Sequence, residues 1–274
     1  MTGVTGASVA RYWSAFRAVL TRETLRFIKQ RGRFFAALVR PLIWLVVFAA
    51  GFRAALGLSI IPPYQTYITY EVYIVPGLIG MIQLFNGMQS SLSMVYDREM
   101  GSMRVLLTTP LPRSYLLACK IAAGAVVSLF QVYAFLAIAA LFGITFSPAG
   151  YIAALPVLVL TGLMLGAIGL FLSSQIRQLE NFAGVMNFVI FPAFFLSSAL
   201  YPIWKMRESS DVLATICALN PFTHAVEAVR FALYLEIAPL SLAVVTGVLM
   251  AAGGLTVIGY DPGRGLRTRQ GPEA

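Results

Sequence analysis

The chain has 274 residues, of which 59% are hydrophobic and 11% are charged, and its formal net charge is +9. At a mean hydropathy of +0.81, a soluble fold of this size would have too few polar side chains to cover its surface. The composition therefore excludes a soluble globular protein and predicts one embedded in a membrane.

Six apolar stretches are long enough to cross a membrane as helices, which takes about 20 residues for roughly 30 Å of hydrocarbon. They cover approximately residues 34–58, 72–95, 114–142, 151–172, 182–200 and 239–260. The sequence thus predicts an all-α membrane protein with a six-span domain over 34–260. Residues 1–33 precede this domain, and a tail, 261–274, follows it.

Positive charge predicts the orientation, because Lys and Arg in short loops are retained on the cytoplasmic side. All but four of the 20 Lys and Arg lie in the first 40 residues, in 96–120, in 173–181 or after residue 260. Six spans place these segments on one face, so both termini are predicted to be cytoplasmic. The net charge then reflects topology and attraction to anionic membrane lipid, and no soluble basic domain is present to bind nucleic acid.

Residues 1–33 predict an amphipathic helix that lies in the cytoplasmic interface. Its apolar residues recur at helical spacing and its basic residues continue a stripe. The apolar set is Val9, Tyr12, Trp13, Phe16, Val19 and Leu20, and the basic set is Arg22, Arg26, Lys29 and Arg33. This pattern fits either a topological anchor or a surface for a partner.

Residues 97–109 predict a short amphipathic helix between the second and third spans. Acids occupy its first turn, a basic residue its last turns, and two prolines follow it. Met100, Met103 and Leu107 form one apolar stripe, and flexible methionines suit a surface that packs into a partner's groove. An ordinary interfacial loop helix would show the same pattern.

Polar side chains within the spans are candidates for a transport path, since they are costly in lipid unless they face a bundle interior or a cavity. In the second span, Gln83, Asn86, Ser90 and Ser93 share one helix face. In the fifth span, Asn187 and Ser197 lie among aromatic residues. Hydrogen bonding between helices explains these residues as readily as a substrate-facing wall does.

Four tyrosines, Tyr64, Tyr67, Tyr70 and Tyr73, precede or begin the second span at intervals of three. Tyrosine rings prefer the headgroup level, so the pattern predicts an aromatic belt at the outer boundary or, alternatively, a gate.

The outer segment, 201–237, mixes charged with apolar residues. It predicts two short re-entrant helices that enter the outer leaflet, separated at Asn220 and Pro221. Glu227 and Arg230 are its charged candidates for a functional role. Cys119 and Cys217 are predicted on opposite sides of the membrane, so a disulfide between them is excluded, and no spacing typical of a metal site occurs.

Three stretches carry a resemblance to a known family. YDREMGSMRVLLTTPLPRSYLLACK (96–120) resembles the signature of ABC type 2 exporter permeases, in which an acid-base-acid triplet, a Gly, a Leu-Leu-x-Thr-Pro-Leu block and a Leu-Leu-x-x-Lys recur in this order. FPAFFLSSALYP (191–202) is similar to the family's fifth-span end, and LNPFTHAVEAVRFALY (219–234) to its outer segment. Among members, the chain resembles permeases that accompany pyrroloquinoline-quinone-dependent alcohol oxidation.

The resemblance implies a transport subunit that works with a separate ATPase. Residues 97–109 would be the coupling helix, with the ATPase contacting Asp97, Arg98, Glu99, Met100, Gly101, Met103, Arg104 and Leu107. The sequence contains no G-x-x-x-x-G-K-[ST] motif, so ATP and Mg²⁺ are expected on the partner and no cofactor on this chain. The resemblance further implies two ATPase copies, a second permease copy as a homodimer, and a bacterial inner membrane.

Two other function classes fit parts of the sequence. A self-sufficient ion-coupled carrier would need ionisable groups near the bilayer midplane, and none of Asp, Glu, Lys or His is predicted there. A membrane scaffold fits the composition but gives no reason for an amphipathic helix at 97–109. A membrane-embedded enzyme is not expected, because no clustered His, Cys or acid pair is available for catalysis.

Overall fold

A computed structural model describes residues 3–29, 31–52, 62–64, 68–99, 111–176 and 178–260. Its architecture over these ranges is all-helical. The helices are α1 (Gly3–Lys29), α2 (Arg31–Phe52), α3 (Tyr70–Glu99), α4 (Arg113–Leu141), α5 (Pro148–Gln175), α6 (Leu179–Phe195), α7 (Ile203–Ser209), α8 (Asp211–Leu219), α9 (Pro221–Leu233) and α10 (Pro239–Gly259).

Each of the six predicted apolar stretches lies mainly on one helix, namely α2, α3, α4, α5, α6 or α10. Helix α6 ends at Phe195, five residues before the predicted end of the fifth stretch, and residues 53–58 of the first stretch lie outside the described residues. Among the described residues, three of these helices, α4, α5 and α10, are long and apolar enough to cross a membrane. Helices α8 and α9 are long and apolar enough to cross a membrane only if they are counted as one span, and they are bent by 74° at the break between them. The structure is thus that of a helical membrane protein, and the count of six spans stays a prediction.

Helix α3 is the centre of the bundle and packs against α2, α4, α5, α6 and α9. Its contact with α5 is close because glycines lie on both sides. A Cβ at Gly87 would lie 2.9 Å from the Leu165 carbonyl oxygen, and one at Gly169 would lie 2.8 Å from the Gly87 oxygen. Each added methyl group would therefore meet backbone, and the two helices can approach this closely only with glycine at both positions.

Helix α1 is fixed to the bundle along α4. The Tyr115 hydroxyl donates to the Tyr12 carbonyl oxygen at 2.7 Å, and the two rings meet edge to face at 4.8 Å. Trp13, which belongs to the predicted apolar stripe, remains 60% exposed. Helix α1 therefore presents part of its apolar side outward, as a helix lying in a membrane interface would.

Among the described residues, no separate helix begins at residue 97, where the sequence predicted one. Helix α3 continues without a break through Glu99, and none of residues 96–99 is a Pro or a Gly that would favour an end there. Asp97 and Glu99 therefore lie within the described course of α3. Residues 100–109 of the predicted coupling helix lie outside the described residues.

The outer segment folds as α7, α8 and α9, which is three helices where the sequence predicted two. The structure places the break between α8 and α9 at Asn220 and Pro221. The Asn220 side chain accepts from the Phe222 N–H at 3.0 Å, and Pro221 occupies the first position of α9. A capping Asn followed by Pro is a standard way to begin a helix.

The same Asn220 side chain also reaches the end of α6. Its Nδ2 donates to the carbonyl oxygens of Ala193 at 2.8 Å and Leu196 at 2.7 Å. These oxygens lie at the C-terminal end of α6, where carbonyl groups lack N–H partners within the helix. One amide therefore begins α9 and completes the end of α6.

Candidate functional site

A polar groove runs along α3 where it faces α1, α2 and α4. A cavity of about 40 Å³ lies between α1, α3 and α4, and a second of about 30 Å³ lies between α2, α3 and α4. Asn86, Gln89 and Gln131 line both cavities, so the two form one continuous site. We call it the amide groove. Each cavity has room for a few water molecules.

Few of the amide groups in this groove are hydrogen-bonded. Asn86 Nδ2 donates to Gln131 Oε1 at 3.0 Å and to the Gly124 carbonyl oxygen at 3.4 Å. Within the described part of the chain, the Asn86 oxygen, the Gln131 nitrogen and the whole Gln89 amide make no hydrogen bond. The groove therefore retains both donors and acceptors for a bound group.

The groove also carries one charge of each sign. Glu23 of α1 lines the first cavity, and Arg40 of α2 lines the second. The Arg40 guanidinium carbon lies 3.9 Å from the centroid of the Phe85 ring, which is a cation–π contact. Neither Glu23 nor Arg40 forms an ion pair with any residue that the structure describes.

The predicted path residues are divided between different environments. Asn86 and Ser90 line the amide groove. Gln83 is 1% exposed, donates to the Leu158 carbonyl oxygen at 2.7 Å and accepts from the Thr161 hydroxyl at 2.8 Å. Both ends of the Gln83 amide are used, so this residue joins α3 to α5.

The two candidates in the fifth predicted span do not line the groove. Asn187 is exposed on α6. Ser197 is buried just beyond α6 and donates to the Phe194 carbonyl oxygen at 2.6 Å. The structure therefore brings two of the five predicted path residues together in one site.

Four groove residues were missed from the sequence: Glu23, Arg40, Gln89 and Gln131. Gln89 lies three residues after Asn86 and thus on nearly the same helix face, which was a usable signal. Gln131 is an amide inside a predicted span and met the same criterion as Gln83. For Glu23 and Arg40, no local pattern indicates that α1 and α2 converge on α3.

A second polar cluster lies around Arg230 on α9. Arg230 is 3% exposed and forms an ion pair with Glu227 one turn earlier. Its Nη2 donates to the Ser198 carbonyl oxygen at 2.9 Å, and its Cζ lies 4.2 Å from the centroid of the Tyr73 ring. We call these residues, with Tyr64, the arginine cluster. It joins α9 to α3 and to the chain after α6.

The aromatic belt predicted before the second span is not what the structure shows. Tyr64, Tyr70 and Tyr73 are all buried, at 5%, 2% and 3% exposure, and Tyr67 lies outside the described residues. The Tyr70 hydroxyl donates to the Leu200 carbonyl oxygen at 2.8 Å, and that of Tyr73 to the Ser198 oxygen at 2.9 Å. The rings turn inward because carbonyl groups beyond α6 offer them partners.

Tyr64 illustrates the electrostatics of the arginine cluster. Burial raises the pKa of the Tyr64 phenol to about 12, although the nearby Arg230 opposes the shift. The phenol is therefore neutral at physiological pH. The Tyr64 hydroxyl has no hydrogen-bond partner among the described residues. Tyr64 therefore contributes chiefly through its ring, which packs edge to face on Tyr234 with ring centroids 4.9 Å apart.

Of the predicted ATPase-contacting residues, Glu99 is the one with a described side-chain contact. The Leu179 N–H at the start of α6 donates to Glu99 Oε2 at 3.2 Å. A carboxylate suits this position because the first N–H groups of a helix lack partners and carry partial positive charge. The side chains of Asp97 and Arg98, and the residues from Met100 to Leu107, lie outside the described part of the structure.

In the described ranges, no three His, Cys, Asp or Glu side chains lie close enough together to hold a metal ion.

Comparison with known proteins identifies relatives over most of the chain. Residues 14–234 match the family model described as ABC-2 type transporter. A protein of Pyropia yezoensis that carries the name transport permease ycf38 is 28% identical over 222 residues, 78% of this chain and 72% of its own. Its namesake in Porphyra purpurea is 29% identical over 219 residues, with the same two coverages.

A bacterial relative is similar over a shorter region. A protein of Escherichia coli strain K12 named as a multidrug ABC transporter permease, YbhR, is 31% identical over 182 residues, 65% of this chain and 48% of its own length.

Proposed function

Because the chain belongs to the ABC-2 type transporter family and is therefore a transmembrane permease subunit of an ABC transporter, we propose that it works as an exporter driven by a separate ATPase. Its substrate would be a small amphiphile, a drug-like molecule or a lipid-linked molecule, moved outward across a bacterial inner membrane. Two permease copies and two ATPase copies would form the transporter, with ATP and Mg²⁺ bound by the ATPase. Both termini of the permease would be cytoplasmic.

The observation that carries the proposal is the unbroken course of α3. This helix of 30 residues begins at the arginine cluster and ends at the segment where the ATPase is expected to bind. A displacement at its cytoplasmic end would therefore be transmitted along the helix to the amide groove and to the outer helices. Pro76 lies inside α3, near its beginning at the arginine cluster, where a proline favours a kink. The stretch of α3 from the amide groove to Glu99 contains no proline.

The contact of Glu99 with α6 adds a second connection. Because Glu99 belongs to α3 and accepts from the first N–H of α6, movement at this point acts on both helices. The coupling segment would then move α3 and α6 together, and α6 continues through Asn220 to the outer helices.

The presence of both polar and apolar surfaces supports this substrate class. The amide groove offers hydrogen bonds and charge, while the outer sides of α2 and α6 expose large apolar residues, among them Ile43 and Phe188 at 56% and 78%. An amphiphile would find partners for both of its halves. The name of YbhR includes multidrug transport, which is in keeping with this class. The more specific resemblance to permeases of pyrroloquinoline-quinone-dependent alcohol oxidation stays a prediction.

A self-sufficient ion-coupled carrier is the alternative, and Glu227 would be its ion-binding group. Its carboxylate, however, is paired with Arg230, which is itself held by Ser198 and Tyr73. A group that must bind and release a proton needs a changing environment, and this pair is fixed on three sides. The geometry therefore favours a structural role for Glu227. A membrane scaffold, the other alternative, would not need an open polar groove.

The test is co-purification of the detergent-solubilised chain with the ABC ATPase encoded nearest to it. We expect a stoichiometric complex with the wild type. Met103→Asp should abolish the complex while the permease still inserts into the membrane, because a charge would replace an apolar contact. A well-folded wild-type chain that binds no ATPase would overturn the proposal in favour of a carrier or a scaffold.

Glu99 needs a matched pair of variants, since it has a contact within the permease. Glu99→Gln keeps an acceptor for the Leu179 N–H, whereas Glu99→Arg removes both the acceptor and the negative charge. If Glu99 contacts the ATPase through its charge, both variants should weaken the complex. If it only supports α6, Glu99→Gln should bind as the wild type does. Glu180→Gln, a change of an exposed acid on α6, serves as the control.

A further inference from the structure

The amide groove contains polar groups that make no hydrogen bond to the other described residues. Asn86 and Gln89 are half-buried and Gln131 is 4% exposed, and together they retain unused donors and acceptors among the described residues. Unpaired polar groups in an apolar medium are costly. A ligand or water must therefore meet them.

The arrangement of charges narrows the chemistry of that ligand. Glu23 lies in one cavity and Arg40 in the other, with the three amides between them. A group that satisfies both ends must carry both a cation and an anion. An anionic ligand alone would leave Glu23 unpaired and repel it, and a cationic one would do the same to Arg40.

The size and surroundings of the groove point to the head of a membrane lipid. The cavities of about 40 and 30 Å³ admit small polar groups and not an acyl chain. Next to Arg40, the surface of α2 exposes Val39 at 46% and Ile43 at 56%. Apolar chains could lie along this surface while their polar head enters the groove.

We propose that the amide groove binds the headgroup of a zwitterionic phospholipid, with its ammonium at Glu23 and its phosphate at Arg40. Arginine donates several N–H groups in a fixed plane and suits a phosphate. A primary ammonium can donate hydrogen bonds both to the Glu23 carboxylate and to amide oxygens of the groove. Phosphatidylethanolamine has this chemistry. The inference requires only that the chain is embedded in a membrane, and it does not rest on ATP-driven export.

The test measures lipid retention by native mass spectrometry. Detergent-purified full-length protein, stripped of lipid, is incubated with equal amounts of phosphatidylethanolamine and phosphatidylglycerol of the same chain length. We expect the wild type to retain phosphatidylethanolamine about fivefold more strongly, as one favourable partly exposed charge contact would give. Equal retention of the two lipids would mean non-specific surface lipid only and would overturn the proposal.

Two substitutions assign the two ends of the headgroup. Glu23→Gln should lower phosphatidylethanolamine retention about fivefold, because its ammonium loses the carboxylate. It should not lower the retention of phosphatidylglycerol, which has no ammonium and is relieved of repulsion by Glu23. Arg40→Gln should lower the retention of both lipids, since both carry a phosphate. The matched controls, Glu180→Gln and Arg113→Gln, change exposed charges outside the groove and should change neither. Groove variants that behave as these controls do would contradict the assignment.

A third variant covers the case in which a charge change prevents folding. Gln89→Ala removes an amide that makes no hydrogen bond to the described residues, so its melting temperature should equal that of the wild type. Its retention of phosphatidylethanolamine should fall about twofold. Unchanged retention in a folded Gln89→Ala protein would also reject the site. Loss of ATPase binding alone would affect only the proposed export function.

Discussion

Two sites along α3 treat polar side chains in opposite ways. At the end that begins with Tyr70, the arginine cluster surrounds a charged guanidinium with a carboxylate, a carbonyl oxygen and an aromatic ring. Along the middle of the helix, the amide groove leaves Glu23, Arg40 and Gln89 without hydrogen-bond or ion-pair partners among the described residues. One helix thus carries a closed polar site and an open one.

The difference separates two uses of polar residues in a membrane protein. Polar groups with partners hold helices together, and their removal should be measured as a loss of stability. Polar groups without partners contribute little to the fold, and their removal should be measured as a loss of binding. Whether a polar residue lies within a span does not by itself distinguish the two uses, whereas its partners do.

The largest expected effect comes from opening the closed site. Arg230→Ala should lower the free energy of unfolding in detergent by about 3–5 kcal/mol, because Glu227 would remain partly buried without its partner. Denaturant titration of the purified protein measures the change. Arg207→Ala, which affects an exposed pair with Asp211 at 4.0 Å, is the control and should cost less than about 1 kcal/mol. If the Arg230→Ala protein is as stable as this control, the contacts of Arg230 do not stabilise the fold.

The next effect tests the close contact of α3 with α5. Gly169→Ala should lower the free energy of unfolding by about 1–3 kcal/mol, because its Cβ would meet the Gly87 oxygen and the Ser91 hydroxyl, at 2.8 and 2.6 Å. Gly254→Ala lies in α10, where no atom comes within 4 Å of the added Cβ. That control should be neutral or gain up to about 1 kcal/mol from helix propensity. Equal losses in both would contradict the contact.

A smaller effect compares two glutamines of α3 directly. Gln83→Leu should cost about 1 kcal/mol of unfolding free energy, because it breaks the bonds with Leu158 and Thr161. Gln89→Leu should leave stability unchanged, since the Gln89 amide has no partner to lose in the described structure. The same denaturant titration measures both. A larger loss of unfolding free energy for Gln89→Leu would mean that the groove residues stabilise the fold, which would contradict the difference between the two sites.

The smallest effect concerns an exception inside the closed site. The Ser198 hydroxyl is buried without a hydrogen-bond partner among the described residues, so Ser198→Ala should change the free energy of unfolding by less than about 0.5 kcal/mol. Ser197→Ala should cost about 1 kcal/mol, because that hydroxyl donates to Phe194 and accepts from Ala199. The reverse order, measured by thermal unfolding, would show that the two side chains were assigned incorrectly.

Much of the helical framework could be predicted from the sequence. Long apolar stretches predict helices from local composition alone, and each of the six lies mainly on one helix. Asn220 and Pro221 predict a helix boundary because both residues act on the backbone next to them. The family resemblance in residues 96–120 and 219–234 is confirmed by the match to the ABC-2 type transporter family.

The sites themselves depend on partners far along the chain, which is why the sequence identified them incompletely. Tyr70 and Tyr73 fit an aromatic belt by spacing, yet their hydroxyl groups bind carbonyl oxygens 130 and 125 residues away. Gln83 and Gln89 look alike in the sequence, and only the position of α5 gives one of them two partners. Helix α3 continues past residue 95, the predicted end of the second span, and residues 96–99 contain no Pro or Gly to end it there.

The single amide of Asn220 makes three hydrogen bonds, two to the end of α6 and one to the start of α9. These two helix ends cannot separate without breaking that connection, so α6 and the hairpin of α8 and α9 should turn as one rigid lever. In the orientation proposed above, a fluorescent or spin label attached to the exposed side of α8 would report from outside the cell on motions that begin on the cytoplasmic side, and it could time each transport cycle without touching the proposed substrate path.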